Sequence, residues 1–172
     1  MHLRLQYEIL TSIAYGWCIA MQKISVLLAD DNDGDANLTR WALREAGIEC
    51  DISHVRNGKD ALEHLNSTAE NNSVPHLAIL DVNMPQVIGC DVLKYLRKDN
   101  RFDGLTIVML TTSDCALRKH CCYENGADIF IRKKMDLDDF VEQIQWLKGF
   151  WQDIEKCGVG NPEEYRNNRT SL

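Results

Sequence analysis

The chain has 172 residues, with 26 acidic against 19 basic side chains and a formal net charge of −7 at pH 7. An apolar fraction of 45% with only 10 Gly and 3 Pro excludes a collagenous, mucin-like or wholly disordered chain and allows one domain with a sizeable core. The acidic balance, without a basic run, argues against nucleic acid or an anionic membrane as partner, and no window holds the ~18 apolar residues of a membrane span.

Residues 1–21 are moderately apolar but broken by Glu8. They lack the basic start and unbroken apolar centre of a signal peptide, and Cys18-Ile19-Ala20 is a poor cleavage site. They read as a leader outside the fold, with Met21 as an alternative start. From Lys23 onward, short continuous apolar runs at 24–29, 50–55 (weaker), 77–80, 105–110 and 129–131 predict strands, most of them buried on both faces. Helical patterns lie between and after them at 35–46, 59–69, 90–98, 115–125 and 138–155. Gly47 and Gly126 stand where C-terminal helix caps belong, and Asp33, Thr112 and Ser113 are N-cap candidates. Strict alternation of strand and helix predicts a doubly wound α/β domain, a five-stranded parallel sheet with five helices over residues 22–157. Residues 158–172 read as a polar flexible tail.

The seven cysteines, Cys18, Cys50, Cys90, Cys115, Cys121, Cys122 and Cys157, are odd in number, scattered and without a CxxC pair. They read as reduced, mostly buried thiols of a cytoplasmic protein rather than a disulfide scaffold or zinc site. The adjacent Cys121 and Cys122 would suit redox chemistry, but nothing beside them supports it. His54, His64, His76 and His120 are scattered and are taken neither as ligands nor as phosphodonors.

In an open parallel sheet, ligands bind outside the carboxyl ends of the strands. The first strand runs into Asp30, Asp31, Asn32 and Asp33, the third into Asp81 and Asn83, the fourth into Thr111, Thr112 and Ser113, and the fifth into Lys133 and Lys134. Carboxylates gathered on one rim raise one another's pKa unless a cation neutralises them. Mg²⁺ is the economical choice, because it uses one or two carboxylates, keeps waters and completes its shell with phosphate oxygens. A lysine can pair with phosphate and a threonine can hydrogen-bond it, so the chemistry indicated is phosphoryl transfer, with Asp81 as the nucleophile.

These residues resemble the receiver domain of two-component response regulators over nearly all of residues 24–149. The acidic pair matches Asp30 and Asp31 in LLADDND. The phosphoacceptor with its Met-Pro turn matches Asp81, Met84 and Pro85 in LAILDVNMP, the threonine matches Thr111 in IVMLTTS, and the lysine matches Lys133 in GADIFIRKK. Residues 57–62, NGKDAL, also resemble the start of the family's second helix. The resemblance implies a flavodoxin-like fold with strand order 2-1-3-4-5. It implies Mg²⁺ held by Asp31 and Asp81 through side chains, by Asn83 through its carbonyl and by Asp30 through water. Lys133 would hold the phosphoryl group, Thr111 would sense it with Thr112 beside it, and Phe130 would be the aromatic that turns inward. The implied partner is a sensor histidine kinase or phosphotransfer protein, and the product loses its phosphate by slow self-hydrolysis.

Two departures stand out. Lys134 replaces the usual proline, whose cis peptide would cost roughly 3 kcal/mol here. Ile88-Gly89 replaces the family's Asp-Gly; Gly89 is expected to keep the turn, while Ile88 adds an apolar side chain near the site.

Too few residues follow the last helix for an output domain, so the expected output is another protein. The chain also resembles stand-alone receivers that partner cyanobacterial phytochrome kinases, which share the LTTS stretch, a lysine lacking its proline and a GFW-like ending. In the last helix Phe140, Ile144, Leu147 and Trp151 form a core stripe, while Trp146, Phe150 and Ile154 form a second that either packs inward or makes a docking or homodimer surface. A haloacid-dehalogenase-type phosphohydrolase also uses an aspartyl nucleophile, but its nucleophile is on the first strand and its acidic pair comes late, the reverse of this order. A phosphate-independent pseudo-receiver adaptor is the other alternative, against which Asp31, Asp81 and Lys133 argue.

Overall fold

The structure, a computed structural model, describes residues 23–112, 122–133 and 136–156, with residues 149–156 as backbone alone. The predicted leader, the tail, most of the predicted helix at 115–125, Ser113, Lys134 and the side chains of Phe150, Trp151 and Ile154 lie outside the described residues.

The elements follow in the order β1 Ile24–Ala29, α1 Asp33–Glu45, β2 Cys50–Val55, α2 Gly58–Glu70, β3 Leu77–Asp81, α3 Gly89–Leu96, a 3₁₀ turn Asn100–Phe102, β4 Thr106–Thr111, helical residues 122–124 (α4), β5 Ile129–Arg132 and α5 Leu137–Lys156. All strand pairs are parallel, in the order β2-β1-β3-β4-β5. The fold is the flavodoxin-like doubly wound sheet expected from the sequence. Every residue of β3 and β4 is buried, as continuous Leu, Ile and Val runs require. β2 differs. It lies at the edge of the sheet and alternates half-buried Cys50, Ile52 and His54 with exposed Asp51 and Ser53, because it is covered on one face.

The period of two along each central strand divides the interior into two layers. Val26, Leu28, Leu77, Ile79, Val108 and Leu110 meet α1 and α5, where Phe140, Ile144 and Leu147 form the expected core stripe. Leu27, Leu80, Ile107 and Met109 meet Leu65 of α2, Val92 and Leu93 of α3 and Cys122 of α4. Burying each such Leu or Ile contributes roughly 1.5–3 kcal/mol. Trp146 points away and is 53% exposed.

The helix ends are chemically specified. Asn32, not Asp33, caps α1: its Oδ1 accepts from the amides of Gly34 (2.8 Å) and Asp35 (3.3 Å). Asp33 lies in the first turn and pairs with Arg56, whose Nε and Nη2 reach its carboxylate at 2.9–3.0 Å. Asn57 caps α2 through the amide of Asp60 at 2.8 Å. Gly47 and Gly126 have φ of 67° and 88°, the left-handed conformation expected of C-terminal caps. Thr112 is exposed, just past β4.

Candidate functional site

The carboxyl ends of β1, β3, β4 and β5 meet on one rim, and their polar residues converge there. Asp30, directly after β1, is fully buried. Its Oδ1 accepts from the amide of Asn32 at 3.0 Å, and its Oδ2 accepts from Lys133 Nζ at 2.7 Å. Asp81, the last residue of β3, is 5% exposed and accepts through Oδ2 from the amide of Asn83 at 3.0 Å. Its Oδ1 lies 3.0 Å from Lys133 Nζ. The lysine follows β5, and its backbone amide donates to the carbonyl of Thr111 at 2.7 Å.

Thr111 ends β4 and is buried, one residue beyond the Asp81↔Leu110 register pair on the neighbouring strand. Asp31, Asn83 and Thr112 are exposed on the rim. Phe130, half-buried in β5, packs on the α2–α4 layer with its ring 6.2 Å from that of Tyr123.

Two neighbours escaped the sequence reading. Asp35, in the first turn of α1, accepts from Lys133 Nζ at 3.0 Å. His54 Nε2 donates to the carbonyl of Asp30 at 3.0 Å from the adjacent strand. The one signal for Asp35 was its place a single turn after the acidic pair; nothing in the sequence marked His54.

The loop between β3 and α3 is held by close backbone approaches. A Cβ at Gly89 would collide with the Asp81 carbonyl oxygen, and a Cβ at Gly58 would collide with that of Val87. Gly89 is therefore required for proximity; it opens α3 without the left-handed φ that the expected turn role would need. Ile88 precedes it without a side-chain cap and is 49% exposed.

The electrostatics follow from three carboxylates sharing one ammonium. Burial alone would lower the pKa of Lys133, but its hydrogen bond with Asp30 and the charge of Asp81 more than offset this and hold it above the ordinary lysine value. Burial pushes the Asp30 carboxyl above the usual range; Lys133 pulls it back, while Asp81 adds to the rise. Both shifts run upward for different reasons: Asp30 and Asp81 hold the proton on Lys133, whereas burial disfavours the charged form of Asp30.

Three carboxylates around one ammonium leave hard oxygen donors in surplus, which fits a divalent hard cation. Among the described residues no three His, Cys, Asp or Glu side chains form a group that could hold a metal ion by themselves. A Mg²⁺ site completed by a backbone carbonyl, waters and phosphate oxygens does not need such a cage.

The response regulator receiver domain profile matches residues 26–145. The probable methanogenesis regulatory protein FilR2 of Methanothrix harundinacea is 30% identical over 129 residues, 73% of this chain and 82% of that protein. Response regulator Rcp1 of Synechocystis sp. is 27% identical over 128 residues, 73% of this chain and 87% of that protein. The crystal structure of its Mn²⁺-bound form superposes with a TM-score of 0.66 at 28% identity, covering 74% of this chain and 94% of that one. The phosphorylated cyanobacterial phytochrome response regulator RcpA gives a TM-score of 0.68 at 26% identity, over 76% of this chain and 94% of that one. With this profile match, these relatives and the sheet order in agreement, the chain belongs to the response regulator receiver domain family, the phosphorelay signalling domain of two-component systems.

Proposed function

We propose that this receiver accepts a phosphoryl group on Asp81 from a sensor histidine kinase or phosphotransfer protein and signals through protein–protein contact. The observation that carries this reading is Lys133 Nζ at 3.0 Å from Asp81 Oδ1 and 2.7 Å from Asp30 Oδ2. An Asp81 carboxylate oxygen attacks phosphorus, the P–N bond of the phosphohistidine breaks, and its electron pair leaves with the imidazole. Lys133 then pairs with a phosphoryl oxygen, the Thr111 hydroxyl moves to another with Thr112 beside it, and Phe130 turns inward behind Thr111. The side chains of Asp31 and Asp81, the carbonyl of Asn83 and, through water, Asp30 would hold Mg²⁺, which supplies charge neutralisation for the incoming phosphoryl oxygens.

The protein acts as a phospho-accepting switch rather than as an enzyme, and water removes the phosphoryl group slowly. Among the described residues no helix is long and apolar enough to cross a membrane. The functional unit is residues 22–157, flanked by the leader at 1–21 and the tail at 158–172. Exposed Trp146, with Phe150 and Ile154 further along α5, supports a homodimer surface. The test is incubation with Mg²⁺ and acetyl phosphate or beryllofluoride, followed by intact mass and sizing chromatography. Labelling of wild type but not of Asp81→Asn is expected; continued labelling of that variant would place the acceptor elsewhere.

A further inference from the structure

Cys90 and Cys122 come from different helices, 32 residues apart in the chain, yet their Sγ atoms lie 2.9 Å apart in a buried contact. Cys90 stands in the first turn of α3 and Cys122 in α4, and both belong to the same apolar layer as Leu93, Met109 and Ala127. Neither sulfur is in a disulfide. A disulfide has a sulfur separation of about 2.04 Å. Closure therefore needs an approach of less than roughly 1 Å, well within what rotation about two Cα–Cβ bonds supplies.

We infer that Cys90 and Cys122 are a two-electron redox pair that peroxide converts into a disulfide joining α3 to α4. Cys90 is 8% exposed and Cys122 is fully enclosed, so Cys90 meets the oxidant first. Its sulfur attacks a peroxide oxygen, the O–O bond breaks, water leaves, and Cys90 becomes a sulfenic acid. The Cys122 sulfur then attacks the Cys90 sulfur, the S–O bond breaks and a second water leaves. The two thiols lose two electrons and two protons, and hydrogen peroxide becomes two waters. A thiol reductant returns the pair by exchange.

The location gives the bond leverage. Cys90 follows the glycine that packs on the Asp81 carbonyl, and Cys122 precedes Tyr123, whose ring faces Phe130. Oxidation would tie the segment after the acceptor strand to the segment beside β5.

The full chain, reduced and then treated with hydrogen peroxide, is digested without reductant and mapped by tandem mass spectrometry that fragments between Cys121 and Cys122. A Cys90–Cys122 cross-linked peptide that dithiothreitol removes is expected, together with a melting temperature raised by oxidation and lowered again by the reductant. Cys90→Ala, at the less enclosed position, should fold and lose both effects; Cys122→Ala should lose the same cross-link. Recovery of Cys90 and Cys122 as free thiols under conditions that oxidise half-exposed Cys50 would overturn the pairing, as would cross-linking of Cys90 to Cys121.

Discussion

Lys133 Nζ and Asp30 Oδ2 lie 2.7 Å apart although 103 residues separate them in the chain. The contact is buried at both ends, with side-chain exposures of 9% and 0%. The lysine is shared with Asp35 and Asp81, each at 3.0 Å, so it is the neutralising centre of the rim rather than half of an isolated pair.

Replacing that centre should separate binding from switching. In Lys133→Ala the carboxylates keep their oxygen donors, so Mg²⁺ binding, followed by calorimetry, is expected to persist. The beryllofluoride-induced conformational change should disappear, and switching at the wild-type level would contradict the role given to the ammonium. Because its folded pKa is raised, Lys133 contributes stability that is complete below its unfolded value near 10.4 and is lost as pH rises through the folded value. Wild type should therefore lose stability at strongly alkaline pH, and Lys133→Met should show a smaller alkaline loss in denaturant titrations.

Asp30→Asn should move stability in two directions. The raised folded pKa of Asp30 means that its ionisation opposes folding, a penalty that sets in as pH climbs through the unfolded value near 3.9. Without Mg²⁺ at pH 7 the variant is expected to gain on the order of 1 kcal/mol, and the gain should vanish below the carboxylate range. Adding Mg²⁺ should stabilise wild type more than the variant, which keeps Asp31, Asp81 and the Asn83 carbonyl. Equal Mg²⁺-dependent shifts in thermal melts of both proteins would remove Asp30 from the ligand set.

Gly89→Ala tests the packing behind Asp81. The new methyl would meet the Asp81 carbonyl and stand 3.2 Å from Met109 Cε, which overpacks the site by roughly 1–3 kcal/mol. Labelling by acetyl phosphate should fall at least about tenfold, since misplacing a reacting atom by about 1 Å can cost far more. Circular dichroism should show the fold retained, and undiminished labelling would mean that the loop relaxes freely.

Arg97 offers a purely structural prediction. Its guanidinium donates to Asp128 Oδ2 at 2.6 Å, to the Gly126 carbonyl at 2.8 Å and to the Leu105 carbonyl at 3.1 Å, while Asp128 Oδ2 also accepts from the amide of Ile107 at 2.7 Å. Arg97→Leu takes the guanidinium from a buried carboxylate and two carbonyls and should cost about 3–5 kcal/mol in urea unfolding. A cost under about 1 kcal/mol would show that water replaces the guanidinium.

Trp146→Ala should change monomer stability by no more than about 1 kcal/mol, because about half of the side chain is exposed. It should abolish any beryllofluoride-induced increase in size. Sizing profiles identical to wild type would exclude Trp146 from the interface.

Strands were legible where burial on both faces leaves an uninterrupted apolar run, as in β1, β3 and β4. Asp30, Asp81, Thr111 and Lys133 were legible because strand ends in this architecture must share a rim. The capping residue of α1 was misplaced by one position because Asn32 and Asp33 both suit the role locally; Arg56, 23 residues beyond Asp33, draws Asp33 away to an ion pair. Asp35, the proximity role of Gly89 and the Cys90–Cys122 contact depend on neighbours that only the closed sheet supplies. No local pattern encodes them.

The separation of Lys133 from its carboxylates also bears on synthesis. During translation Asp30, Asp35 and Asp81 emerge long before the lysine, and until the final strand docks they face one another without their counterion. The rim therefore reaches its charge balance only when the last strand is in place.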